Sequence, residues 1–223
     1  MEPSRRKILL DCNQFLYNKS RVPFHSLDDT PTISDIILGL LDEYGNLYEG
    51  TDQYILGFYY TLINVLITAE HIKSSKPKKI LEIGCQNGVL SYHLASMLGK
   101  LHPESLLYGI SDTIGNESEN LWLDYICRIE SLPQLAFAAV DYDNTNLRDE
   151  HFDVVIINGS EYIENPKQVI EEAVRVTKSE GKIVCFAQEQ PLLENMFQLF
   201  LNNVEKYTLD YENCVLEAKV ENT

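Results

Sequence analysis

The spacing of apolar positions changes character near residue 78, and the change divides the chain into two regions. Ahead of it, apolar residues fall on helical stripes. Ile8, Leu9, Cys12, Phe15 and Leu16 make the first, and Ile33, Ile36, Ile37, Leu40, Leu41 and Tyr44 the second, closed by Gly45-Asn46. Thr51-Asp52 opens a longer third stripe through Tyr54, Ile55, Phe58, Tyr59, Leu62, Ile63, Leu66 and Ala69. Between the first two, Arg21, His25, Ser26, Asp28 and Asp29 lie in a polar stretch bounded by Pro23 and Pro31 that reads as loop. Residues 1–75 are therefore expected to form an N-terminal helical cap segment.

From residue 78 onward, short apolar runs alternate with helical stripes. Ile80, Leu81 and Ile83 suit a strand buried on both faces, and Gly84 permits a sharp turn or a close approach. Asn87 can cap the helix that follows, whose stripe Val89, Leu90, His93, Leu94, Met97 and Leu98 stops at Gly99. Further strands are expected over 105–110, 135–140, 152–157 and 182–187. Helices are expected over 116–130, from Asn165-Pro166 through Val176, and over 191–202. The runs 206–211 and 213–220 are joined too tightly for a crossover helix, so they should pair antiparallel. The pattern predicts an α/β fold over 76–223: a doubly wound, mostly parallel seven-stranded sheet with right-handed crossovers and an antiparallel C-terminal hairpin.

Composition narrows the function. The chain carries 34 acidic against 18 basic residues, a formal net charge of -16. That balance disfavours nucleic acid, whose phosphates need clustered Lys and Arg. The short run Lys73, Lys76, Lys78 and Lys79 reads as a solvated linker ahead of the first core strand. The basic N-terminus has too brief an apolar run, Ile8 to Leu10, for a signal peptide, and no stretch is long and apolar enough to span a membrane. Five scattered cysteines, Cys12, Cys85, Cys127, Cys185 and Cys214, lack metal-ligand spacing, so no metal is expected and a reducing cytoplasm fits best.

In an open parallel sheet, ligands collect at the carboxyl ends of the strands, near the point where strand order reverses. Each such end here is polar. The first gives Glu82 to Gly88, the second Ser111-Asp112, the third Asp141-Tyr142-Asp143 and the fourth Asn158-Gly159-Ser160-Glu161-Tyr162, a ring about one ligand site.

Within that ring, Glu82-x-Gly84-Cys85-x-x-Gly88 after a strand resembles the first motif of the class I S-adenosylmethionine-dependent methyltransferases, with Gln86 where that family usually has a further glycine. The dinucleotide pattern Gly-x-Gly-x-x-Gly is absent, because positions 86 and 87 are Gln and Asn. Residues 152–158 look like the family's fourth strand. Residues 173–184 look like its Arg-Val-Leu-Lys-Pro-Gly-Gly stretch, with Ser179 and Glu180 in place of Pro and Gly. The terminal hairpin is also typical of the family, and the likeness runs from 78 to 220.

The resemblance implies S-adenosylmethionine as cofactor and a set of contacts to it. The backbone from Gly84 through Cys85 and Gln86 to Gly88 would face the methionine portion, glycine leaving approach open, with Glu82 holding its ammonium end. The family's ribose-binding acid aligns with Ser111, which puts Asp112 one residue late for that role. Asp141 would accept from the adenine amino group and the Tyr142 backbone would meet the ring edge, while Asn158, Gly159 and Ser160 would line the floor beneath the sulfonium.

Methyl transfer is a direct displacement governed by positioning and desolvation, so the family pattern names no catalytic acid or base. Candidate acceptor-binding residues are His25, Tyr54, Tyr59 and Tyr60 from the cap, with Glu161 and Tyr162 after the fourth strand. The expected activity is methylation of an O, N or C nucleophile on a small molecule. A basic protein acceptor and a homodimer both stay open. A methyltransferase-like binding or regulatory protein without turnover is the alternative, and a nicotinamide-dependent oxidoreductase comes third.

Overall fold

The computed structural model describes residues 77–86, 88–112, 132–142, 144–158, 163–186, 190–200, 206–210 and 215–220. The cap helices expected before residue 76 and the helix expected over 116–130 lie outside the described residues. The strands are β1 (Lys79–Ile83), β2 (Leu106–Ser111), β3 (Leu135–Ala139), β4 (Phe152–Ile157), β5 (Thr177–Phe186), β6 (Lys206–Asp210) and β7 (Val215–Lys219). The helices are α1 (Val89–Leu101), α2 (Pro166–Val176) and α3 (Gln190–Phe200).

The strands lie in one sheet in the order β3-β2-β1-β4-β5-β7-β6. Pairing is parallel from β3 through β5, and β7 runs antiparallel to both β5 and β6. The chain steps outward from β1 to β3, then returns to the other side of β1 with β4. Strand order therefore reverses between β1 and β4, the place where an α/β sheet offers a crevice at its carboxyl ends.

Alternation of side chains along each strand assigns the helices to faces. Leu81 and Ile83 of β1 share a buried cluster with Val155, Ile157, Ile183 and Cys185 and with Val169, Ile170, Ala173 and Val176 of α2 and Met196 and Phe200 of α3. Glu82, between Leu81 and Ile83, points the other way and meets Ser91 of α1. Helices thus cover both faces, which explains why β1 and β4 read as nearly unbroken apolar runs.

Several boundaries differ from expectation for identifiable reasons. Gly88, rather than Asn87, occupies the N-cap of α1, left-handed at φ 71° and without a side-chain cap. The first intrahelical bond runs from the Tyr92 N–H to the Gly88 carbonyl at 2.9 Å. Gly99 does not end the helix, which continues to Leu101. Burial of Leu98 beside it outweighs the cost of about 1 kcal/mol for a helical glycine. The second strand keeps Ser111 as its last residue, opposite Ala139, rather than stopping at residue 110.

β5 starts at Thr177, five residues before the expected run. Its pairing jumps from Phe152↔Thr177 to Val154↔Lys182, so the intervening residues bulge out of register. Glu180 lies in that bulge at φ 64°, a conformation that the glycine usual in the resembling stretch would adopt without strain.

The loop leading into β4 is fastened to α2 by a polar network. Glu172 accepts from the Thr145 N–H at 3.0 Å, from the Thr145 hydroxyl, and from both Nε and Nη2 of Arg175 at 2.7 and 2.6 Å. Arg175 also donates to the Leu147 carbonyl at 2.9 Å and to Asp149. Burial alone would raise the Glu172 carboxyl, but the donors from Arg175 and Thr145 outweigh it and hold the group below the usual range.

Candidate functional site

The loop after β1 is clamped between its neighbours in the sheet. Both Gly84 N–H and Cys85 N–H donate to the Ile110 carbonyl of β2, at 2.9 and 3.0 Å. On the other side, the Asn158 N–H donates to the Ile83 carbonyl at 2.9 Å. Gly84 is left-handed at φ 80°, and a Cβ there would lie 2.1 Å from the Asn158 carbonyl oxygen. The glycine is thus demanded by the sharp turn and by the meeting of β1 and β4.

The turn closes with the Gly88 N–H donating to the Cys85 carbonyl at 2.7 Å. Gln86 sits within it at φ 43°, a left-handed conformation that costs a non-glycine residue about 1–2 kcal/mol. The Cys85 side chain is buried against Gly109, where a Cβ would stand 3.0 Å from the cysteine's own and only 2.6 Å from the Phe137 ring. The Cys85 side chain is therefore packed inside the protein.

Beneath this loop lies Glu82, fully buried. One carboxylate oxygen accepts from the Ser91 hydroxyl on α1, the other from Asn158 Nδ2 at 3.0 Å. One acid thereby joins β1, α1 and the end of β4. Burial pushes its pKa up to about 7 against the lowering effect of the Ser91 and Asn158 donors. Ser91 escaped the sequence reading because it is a small polar residue among the apolar positions of α1. Its signal was a burial face that places it one turn inside the helix, opposite a strand acid.

A second polar group forms where β2 and β3 end. The Val140 N–H donates to the Ser111 carbonyl at 3.2 Å, which turns the chain after β3 back over the end of β2. The Tyr142 hydroxyl then lies 3.1 Å from the buried Ser111 hydroxyl. Asp112, exposed in the turn after β2, acts on the same tyrosine through its carboxylate and its backbone N–H. Burial first, with the charge of Asp112 adding to it and the Ser111 hydrogen bond opposing, pushes the Tyr142 hydroxyl up to about 12. Asp141 stands exposed beside it.

The structure thus brings Asn158 against both Glu82 and Gly84 at the switch point, with Cys85, Gln86 and Gly88 in the same loop, and gathers Ser111, Asp112 and Tyr142 on the adjoining strand ends. Gly159, Ser160, Glu161 and Tyr162, and the cap residues His25, Tyr54, Tyr59 and Tyr60, lie outside the described residues. Tyr142 was expected to contribute its backbone; its hydroxyl is the part that the sequence did not single out.

An open α/β sheet with polar groups at the ends of β1, β2 and β4 defines a Rossmann-like ligand-binding domain. Comparison with known proteins makes the class specific. Residues 81–185 match the family model of the methyltransferase domain. A Methanococcus maripaludis protein provisionally assigned as an S-adenosyl-L-methionine-dependent methyltransferase superposes with a TM-score of 0.56 at 17% identity, over 74% of this chain and 87% of its own. The N-methyltransferase NodS of Bradyrhizobium japonicum gives 0.50 at 16%, over 72% and 94%. The tRNA (m1A58) methyltransferase TrmI of Aquifex aeolicus gives 0.50 at 11%, over 66% and 63%. No curated protein sequence gives a significant match to the chain. The segment 81–185 thus matches a methyltransferase domain and shares its fold with these enzymes, a match that indicates S-adenosylmethionine as cofactor.

The residues present suit that cofactor chemically. The exposed carboxylates of Asp112 and Asp141 on the adjoining strand ends can accept from ribose and adenine donors, while Glu82, buried with its two oxygens engaged by Ser91 and Asn158, braces the loop from beneath.

Proposed function

We propose that this protein transfers a methyl group from S-adenosylmethionine to an oxygen, nitrogen or carbon nucleophile of a small molecule. The observation that carries this reading is the pair of polar groups, Glu82 with Asn158 and Ser111 with Asp112 and Tyr142, at successive carboxyl ends on the methyltransferase sheet. When bound, the cofactor supplies a sulfonium methyl that a nucleophile takes by direct displacement, the S–CH3 bond breaking as the new bond forms and sulfur leaving as a neutral thioether. The chain's own residues bind and orient. Glu82 and Asn158 fix the loop that receives the methionine end, Asp112 accepts from ribose and Asp141 from adenine.

The acceptor class is argued from charge. The fold is shared with enzymes of quite different acceptors, so it makes no choice among them. A net charge of -16 opposes a polyanionic acceptor such as RNA. The acceptor contacts expected from the sequence, His25, Tyr54 and Tyr59 with Glu161 and Tyr162, lie outside the described residues. A cytoplasmic setting fits the buried thiols of Cys85 and Cys185. Among the described residues no helix is long and apolar enough to cross a membrane.

The left-handed Gln86 in the cofactor loop favours one second reading, a protein that binds the cofactor without turning it over. Incubation with methyl-labelled S-adenosylmethionine and separated cell-extract fractions distinguishes the readings. Label should appear in the low-mass fraction. Label confined to RNA or protein would overturn the small-molecule assignment, and cofactor binding without transfer to any fraction would support the second reading.

A further inference from the structure

The geometry points to a binding site for a tetrahedral oxyanion, phosphate or sulfate, free or as an ester, between Lys79 and His151 at the amino end of the sheet. It lies at the end of the strands opposite the loop from Glu82 to Gly88 and shares no residue with it, so it does not depend on the methyltransferase reading. From the sequence, Lys79 belongs to a solvated linker; the structure makes it the first residue of β1. Its ammonium lies 2.8 Å from Nε2 of His151, the residue before β4. Both residues are half-buried.

The pairing is unusual in a chain with a net charge of -16, where carboxylates outnumber cations. An ammonium has only protons to offer, so the imidazole must be neutral and accept at Nε2. The carboxylate joined to the pair, Asp153, is already engaged. One of its oxygens accepts from the Lys78 and Lys79 N–H groups, both at 2.9 Å, and the other from Lys178 Nζ at 2.6 Å. The Lys79 charge is therefore met by a dipole and not by an anion. The imidazole is held in place: the His151 N–H donates to the Val176 carbonyl at 2.8 Å, and the ring stands edge-on to buried Phe152, with centroids 5.2 Å apart.

An oxyanion that enters this contact replaces one neutral acceptor with several charged ones. Lys79 donates to it directly, and His151, taking a proton from solvent at Nε2, donates beside it, so that two neighbouring cations gain the anion both need. Without the ion that protonation is opposed. Burial first, then the charges of Lys79, Arg148 and Lys178, hold the imidazole below its usual range against the pull of Asp153. Oxyanion binding and proton uptake at His151 are therefore coupled, and each favours the other by the same factor.

NMR titration of the full chain tests the coupling by following the His151 imidazole, assigned by its absence in His151→Gln, in sodium sulfate and in sodium chloride of equal ionic strength. Sulfate stays a dianion throughout. It should raise the His151 pKa by about one unit over chloride, equivalent to about tenfold tighter binding to the protonated form. In Lys79→Met the pKa should already be higher in chloride, because a neighbouring cation is gone, and sulfate should add less than half of the wild-type shift. Lys167→Met removes the same charge from an exposed position on α2 and should respond as the wild type does. A His151 pKa that is the same in both salts overturns the proposal, as does a sulfate response in Lys79→Met equal to that of the wild type. At one fixed pH, inorganic phosphate and glycerol phosphate are then compared. Tighter binding of the ester assigns the site to a phosphorylated compound, and equal or tighter binding of the free ion assigns it to the ion itself. Melting curves confirm that each variant is folded.

Discussion

Replacing Gly84 with alanine is expected to be the most damaging single change at the site. The new methyl would stand 2.1 Å from the Asn158 carbonyl oxygen, and that atom belongs to backbone and cannot swing aside. The residue would also be held at φ 80°, where a side chain is strained. Strain and overpacking together should cost about 3 kcal/mol, lowering the melting temperature by about 10 °C for a chain of this size. Because relief requires β1 and β4 to part at the switch point, S-adenosylhomocysteine binding should be lost even where the variant is folded. Gly99→Ala is the matched control. Its Cβ would meet only the Gln134 side chain at 3.5 Å, and the helix would gain up to about 1 kcal/mol of propensity. Thermal melts of the two variants should therefore move in opposite directions, and equal losses would contradict this account of the loop.

The second large effect is a pH dependence centred on Glu82. Its folded pKa is about 7, raised from the model-compound value of 4.5. A carboxyl that is raised on folding favours the folded state while protonated, so its contribution is complete below pH 4.5 and is lost as pH climbs to about 7. His93 runs the other way. Burial takes its imidazole from 6.5 down to about 3, so its contribution is present above 6.5 and fades as pH falls toward 3. The two slopes offset each other in the wild type, and a single stability curve would hide both. Subtracting the curve of Glu82→Gln isolates the carboxyl. From pH 4.5 to 7 the variant should gain about 3 kcal/mol relative to the wild type, the value of such a shift at 1.4 kcal/mol per unit. Parallel curves for the two proteins across that window would show that Glu82 is not held in the buried setting described.

Much of the frame could be read from residue pattern because both levels of structure agree on it. β4 begins and ends with its apolar run, and α2 begins at Pro166 and ends at Val176, where a proline preset for the first turn and a clean apolar stripe leave little choice. The antiparallel tail followed from a connection too short for a crossover. Disagreements arose where tertiary contact overruled local preference. Gly99 looks like a helix end until Leu98 is seen to be buried, and Ser179-Glu180 looks like a loop until pairing with β7 and the bulge draw it into β5.

The site divides in the same way. Its carrier residues were legible from the order of polar strand ends, but their partners were not. Ser91 meets Glu82 only once α1 has packed, and Tyr142 meets Ser111 only once the chain has turned back after β3. These pairings, nine and 31 residues apart in sequence, depend on packing and on a turn that no local pattern encodes.

The central claim is that the loop from Glu82 to Gly88, clamped between β2 and β4, receives S-adenosylmethionine. Calorimetric titration of the full chain with S-adenosylhomocysteine tests it most directly. Saturable one-to-one binding with a dissociation constant in the micromolar range, abolished by Gly84→Ala and retained by Gly99→Ala, is the predicted result. No heat of binding at high micromolar ligand, with the wild type demonstrably folded, would contradict it.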